Sequence, residues 1–143
     1  MTEGCELPLH NAPPEQVKQL LRSHRVVAVV GVSAKEDRDS NRVARYLMRS
    51  GYRVVPVNPA YEEVLGTKCF RSLEDIPFGV DIVDIFRKPE AVPEIVEQAI
   101  RKGAKAVWMQ EGIVDNKSAA RARQAGLSVV MNRCMMIEHK RLF

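Results

Sequence analysis

Apolar residues along this chain fall into short β-branched runs, each followed by a stretch in which they recur every three or four positions. The runs have strand character and the stretches helical character. The first strand is expected at 25–32, where Val26-Val27-Ala28-Val29-Val30 is continuously apolar, as a strand covered on both faces should be. Further strands are expected at 52–57, 80–86, 104–109 and 127–131. Pro13-Pro14 opens a helix through about 21 with Val17, Leu20 and Leu21 on one face. Ser40 or Asn41 is placed to cap a helix carrying Val43, Tyr46 and Leu47 and stopped by Gly51. Helical spacing returns at 89–102, which presents Val92, Ile95, Val96, Ala99 and Ile100 before Gly103, at 116–125 before Gly126, and in the tail 134–142. The stretch 61–72 reads as a connection, with one helical turn from Leu73. Strand alternating with helix predicts an α/β, three-layer Rossmann-like sandwich with a five-stranded, mostly parallel sheet, because right-handed crossovers place helices on both faces. Without a repeat or linker, 1–143 reads as one domain, with 1–12 a flexible N-terminal segment.

Ligands of such sheets bind outside the carboxyl ends of the strands, near the point where strand order reverses. That rule selects Gly31-Val-Ser-Ala-Lys35, Val57-Asn58-Pro59, Phe86-Arg87-Lys88, Met109-Gln110-Glu111-Gly112 and Asn132-Arg-Cys134. In the first of these loops Gly31 permits close backbone approach, and the following helix aims free N–H groups and its positive dipole end at an anion. Ser33 offers a hydroxyl, and Lys35, Arg38 and Arg42 offer charge suited to a diphosphate. Gly31-Val-Ser33-Ala-Lys35-Glu36 lacks the second and third glycines of Gly-x-Gly-x-x-Gly, and strand two ends without an acid for a ribose diol. A standard dinucleotide site is therefore disfavoured, and the absence of Gly-x-x-x-x-Gly-Lys-Ser/Thr removes the P-loop hydrolases.

Composition narrows the setting. Apolar residues at 45% and charged residues at 28% are ordinary for a globular domain. The longest apolar run is too short to cross a bilayer, and no charged-then-apolar leader opens the chain, so a cytoplasmic protein without a membrane partner is expected. A net charge of +4 favours polyanionic partners, a phosphorylated cofactor or nucleic acid, without choosing between them. Cys5, Cys69 and Cys134 are widely spaced and lack zinc-like partners, so neither a metal site nor a disulfide frame is expected.

Six ordered segments carry a resemblance: Gly31-Val-Ser33, Asp37-Arg38, Val57-Asn58-Pro59, Asp84-Ile-Phe-Arg87, Trp108-Met-Gln110 and Asn132-Arg-Cys-Met135. Together they resemble the stand-alone CoA-binding proteins of the YccU type and, more distantly, the CoA-binding domain of the succinyl-CoA synthetase alpha subunit and of ADP-forming acyl-CoA synthetases. The resemblance implies that coenzyme A or an acyl-CoA is the ligand. It implies that 31–35 and the start of the next helix, with Arg38, Asn41 and Arg42, hold the diphosphate. Asn58 and Pro59, after Val57, would flank the adenosine end, with Phe86 and Arg87 as a wall beside adenine or ribose. Gln110 and Glu111 would line the path of the pantetheine arm, and Asn132 would complete the edge. This loop is poorer in glycine than the synthetase loop and richer in charge.

Several residues tempt a catalytic reading. Cys134, near a helix start, could exchange disulfides with CoA, but no His or acid lies close in sequence and free cysteine is commonly buried as a small apolar residue. Cys5 and Cys69 are given no function. Asp81 and Asp84, three apart on a strand, point to opposite faces, which excludes shared acid–base chemistry and leaves Asp84 as an acceptor for backbone N–H groups or a nearby Arg. Trp108 and Met135-Met136 read as packing, and His139 as part of a solvated helix face or a partner contact. The leading expectation is a CoA-binding module without complete catalytic machinery. The alternatives are a thiol-dependent CoA enzyme using Cys134, the CoA-binding half of a split synthetase, and an NAD(P)- or nucleic-acid-binding protein. A homodimer or an unidentified protein partner stays open.

Overall fold

The computed structural model describes residues 6–143. Its frame is a five-stranded sheet of β1 (Val26–Val30), β2 (Arg53–Val57), β5 (Ile82–Ile85), β6 (Ala106–Met109) and β7 (Ser128–Val130) in the order β2-β1-β5-β6-β7. All four pairings are parallel, so the expected sheet is present without an antiparallel member. β1 lies inside the sheet and β2 at one edge, where Pro56 costs no ladder bond on the outer side. The order reverses at β1: the chain turns one way to reach β2 and the other way to reach β5.

The continuously apolar runs are buried because helices cover both faces. On one face Val27, Val29, Ile82, Ala106, Trp108 and Val130 meet α1 (Pro14–Ser23), α2 (Asp39–Arg49) and α5 (Met135–Leu142). On the other, Ala28, Val30, Val83, Ile85, Val107 and Val129 meet α3 (Val92–Lys102) and α4 (Asn116–Gln124). Alternate residues of each strand thus feed separate apolar cores, as the two-residue strand period requires. The helices bury most of the stripes that their spacing marked, Val17, Leu20 and Leu21 in α1 and Val92, Ile95, Val96 and Ala99 in α3, while Tyr46 of α2 and Ile100 of α3 are half-buried. Trp108 is wholly buried and its indole N–H donates to the Arg133 carbonyl at 2.8 Å, which settles it as packing.

Three features depart from the sequence expectation. The 61–72 connection contains a two-stranded antiparallel hairpin, β3 (Glu63–Val64) and β4 (Thr67–Lys68), before the expected single turn at Leu73–Asp75. Its tip places Leu65 (φ 56°) and Gly66 (φ 72°) in left-handed backbone, a role usually signalled by Asn-Gly rather than Leu-Gly. Second, α2 begins at Asp39 with Arg38 in the N-cap position, so neither Ser40 nor Asn41 caps it. The Ser40 hydroxyl instead accepts the Ser33 N–H at 2.9 Å, and Asn41 Nδ2 donates to the Ser33 carbonyl at 2.8 Å. Third, Asp84 accepts no hydrogen bond among the described residues, whereas Asp81 accepts the Arg25 and Val26 N–H groups at 3.2 and 3.0 Å.

Residues 6–12 run against α4 and the end of β7. Leu9 N–H donates to Asn116 Oδ1 at 2.9 Å, and Asn11 exchanges two hydrogen bonds with the Met131 backbone, at 2.8 and 3.0 Å. Cys5 lies outside the described residues.

Candidate functional site at the carboxyl edge of the sheet

The reversal of strand order leaves the ends of β1 and β5 side by side with their connections leaving in opposite directions, the usual place for a ligand crevice. Gly31 follows β1 and Phe86 follows β5. Gly31 has φ 90°, and its N–H donates to the Val57 carbonyl at 2.8 Å. A Cβ at this position would sit 2.7 Å from the Phe86 carbonyl oxygen and 2.8 Å from Arg87 Cδ. Glycine is therefore demanded here by the protein's own chain: the methylenes of Arg87 cross the place where a side chain would stand.

The loop beyond Gly31 is built by its own hydrogen bonds. Lys35 N–H donates to the Ser33 hydroxyl at 3.1 Å, and Asn58 Nδ2 donates to the Val32 carbonyl at 2.9 Å. Asn58 Oδ1 accepts the Ala60 N–H at 2.9 Å, so one side chain pins the loops after β1 and β2 together. Asn41 is buried, and its Oδ1 has no partner among the described residues. Arg42 donates to the Asp37 carbonyl at 2.8 Å and pairs with Asp39. Lys35 and Arg38 are exposed beside the first turn of α2, which has no side-chain cap. The first-turn amides and these two cations suit an anion, with Glu36, Asp37 and Asp39 exposed on the same stretch.

Two cavities lie along the same edge. One, of about 310 Å³, lies between α2 and α5 and is lined by Asp39, Arg42, Phe86, Gln110, Glu111 and Cys134 among others. The other, of about 210 Å³, lies on the α3 side, where Val57, Pro59, Arg71, Ser72, Arg87 and Glu90 border it. Phe86 and Arg87, expected to form one wall, are divided between the two. Gln110 is buried and its Oε1 accepts the Met135 N–H at 3.1 Å, so it holds the start of α5 against the end of β6. Asn132, in left-handed backbone (φ 57°), accepts the Gly112 N–H at 2.8 Å and joins the last two loops. Cys134 is buried among apolar residues while bordering the first cavity. Groups of three or more His, Cys, Asp or Glu able to hold a metal are absent among the described residues.

Beneath the edge sits Asp84, between Val29 of β1 and Trp108 of β6 in register and fully buried. Neither oxygen has a partner among the described residues, and burial pushes its carboxyl well above the ordinary carboxylate range. Burial without a partner disfavours the charged form of this carboxyl, which suits it poorly to a role that needs an anion.

Residues 25–140 match the family described as a CoA binding domain. The chain belongs to that family. This CoA-binding-domain chain is 33% identical to the uncharacterized protein YneT of Bacillus subtilis over 131 residues, 92% of this chain and 97% of that one. It superposes on a solved hypothetical protein from Pyrococcus horikoshii OT3 with a TM-score of 0.90 and 47% identity, covering 99% of each chain. It also aligns with an ADP-forming acetate–CoA ligase of Methanocaldococcus jannaschii at 27% identity, over 78% of this chain and 17% of that ligase. For the CoA-binding-domain chain, sequence reading gathered residues from five separate loops, and the fold brings all five to one edge. It missed Arg71 and Ser72, which reach the second cavity from the connection that had read as featureless.

Proposed function

We propose that the protein holds coenzyme A or an acyl-CoA along this edge. The diphosphate would lie over 31–35 and the first turn of α2, with Lys35, Arg38 and Arg42 beside it. The adenosine end would enter the cavity bordered by Val57, Pro59 and Arg87, and the pantetheine arm the cavity bordered by Gln110 and Glu111. The observation that carries this reading is the pair of cavities on opposite faces of the sheet at this edge, one bordered by Phe86 and the other by its neighbour Arg87, whose stem crosses Gly31. A ligand with a nucleotide at one end, a flexible arm at the other and a diphosphate between them suits that layout. Membership of the CoA-binding-domain family supports coenzyme A as that ligand.

Parallel calorimetric titrations with CoA, acetyl-CoA, NAD and ATP test the reading. The expected result is saturable one-to-one binding of CoA, with NAD and ATP weaker by at least about tenfold. Binding of NAD with no heat from CoA would overturn it.

A further inference from the structure

Arg87 is held by an unusual support. Its stem lies across Gly31, within 2.8 Å of where a Cβ would be, and its side chain borders the cavity on the α3 side. Arg71 borders the same cavity from the connection after β4, with Ser72 next to it. Neither arginine forms an ion pair among the described residues, although the exposed Arg42, Arg101, Arg121 and Arg141 all do. Two arginines thus border one small cavity, and neither is held in an ion pair with a carboxylate among the described residues. Planar guanidinium forks bind phosphate oxygens in pairs, and a phosphate monoester has enough oxygens for both.

The same cavity is bordered by Glu90 and Glu94. A bare inorganic anion would meet both signs of charge there. A ribose phosphate answers both, because its dianion suits the arginines and its free hydroxyl can donate to a carboxylate. The cavity is also lined by Val30, the residue before Gly31, which places it next to the start of that loop. We propose that Arg71 and Arg87 form a phosphate-monoester subsite that selects the 3′-phosphorylated cofactor over its dephospho form, with Arg71 as the specificity-determining residue. The inference rests on the CoA reading above.

Calorimetry with CoA and dephospho-CoA, on the full chain and on Arg71→Gln, decides it. The unaltered protein should bind CoA about tenfold more tightly than dephospho-CoA. Arg71→Gln should weaken CoA about tenfold and leave dephospho-CoA within about twofold. Arg71 is exposed, so the variant should keep the parent melting temperature, and the comparison of the two ligands on the unaltered protein needs no variant. Equal affinity of the unaltered protein for the two ligands would overturn the subsite while leaving CoA binding intact. So would equal weakening of both in Arg71→Gln. Failure of both ligands to bind the unaltered protein would instead overturn the CoA reading, and the subsite with it.

Discussion

A glycine beside a phosphate loop invites the explanation that the ligand needs the space. At Gly31 the space is already taken by the Phe86 carbonyl and the Arg87 stem. Gly31→Ala should therefore lower the unfolding free energy without any ligand present, by about 1–3 kcal/mol, the usual cost of a side chain in strained backbone. Urea titration of the free protein measures this, and an unchanged midpoint would show that Phe86 and Arg87 yield freely. Loss of CoA affinity on replacing Gly31 by a bulky residue would consequently say little about where phosphates bind. Asp84 makes a second prediction. Its native carboxyl titrates above its unfolded value, so its cost to stability is absent below about pH 4 and grows as pH rises toward the native value. Asp84→Asn should be more stable than the parent at pH 7, with the difference shrinking toward pH 4. Parallel denaturation at the two pH values checks it.

Among the elements, those with a strong period were plain in the sequence: the valine run of β1, the stripe of α3 and the glycine at 103 that ends it in left-handed backbone. The hairpin β3–β4 was hidden because its two-residue turn uses leucine where asparagine would have announced it. The Leu65 side chain packs against the core on the α2 side, and that packing offsets the awkward backbone. The start of α2 was misplaced for a related reason. Asp39, Ser40 and Asn41 are all good cap residues, and only the fold shows that Ser40 and Asn41 are engaged by Ser33. Arg71 could not be found by reading, because nothing local distinguishes a cavity-lining arginine from a solvated one. At the end of the chain α5 is anchored by His139, whose Nδ1 lies 2.7 Å from the Tyr46 hydroxyl and whose ring stacks on Phe143. Burial, and secondarily Arg25, holds the His139 pKa below its usual value. The neutral ring is thus the one the fold favours, and stability present above about pH 6.5 is lost as pH falls through the lowered native value. The melting temperature should drop on acidification from about pH 7 to 5, and less so in His139→Phe, which keeps an aromatic ring but cannot titrate.

For the molecule as a whole, the strand order matters more than any single contact, because it brings loops far apart in sequence to one edge. The expectation of a five-stranded parallel sheet came from rhythm alone, whereas the order β2-β1-β5-β6-β7, and with it the reversal between β1 and β5, needed the structure. Among the described residues no helix is long and apolar enough to cross a membrane. The two cavities open on opposite faces of the sheet, one against α2 and α5 and the other against α3. A single molecule occupying both would act as a non-covalent cross-link between the helical layers on the two sides of the sheet. Cofactor at a hundred times its dissociation constant should then add about 2.7 kcal/mol to stability. Amide hydrogen exchange should slow at the starts of both α2 and α3. Protection confined to one layer would mean that the ligand occupies one cavity, and that the sheet's two sides unfold as independently with the cofactor as without it.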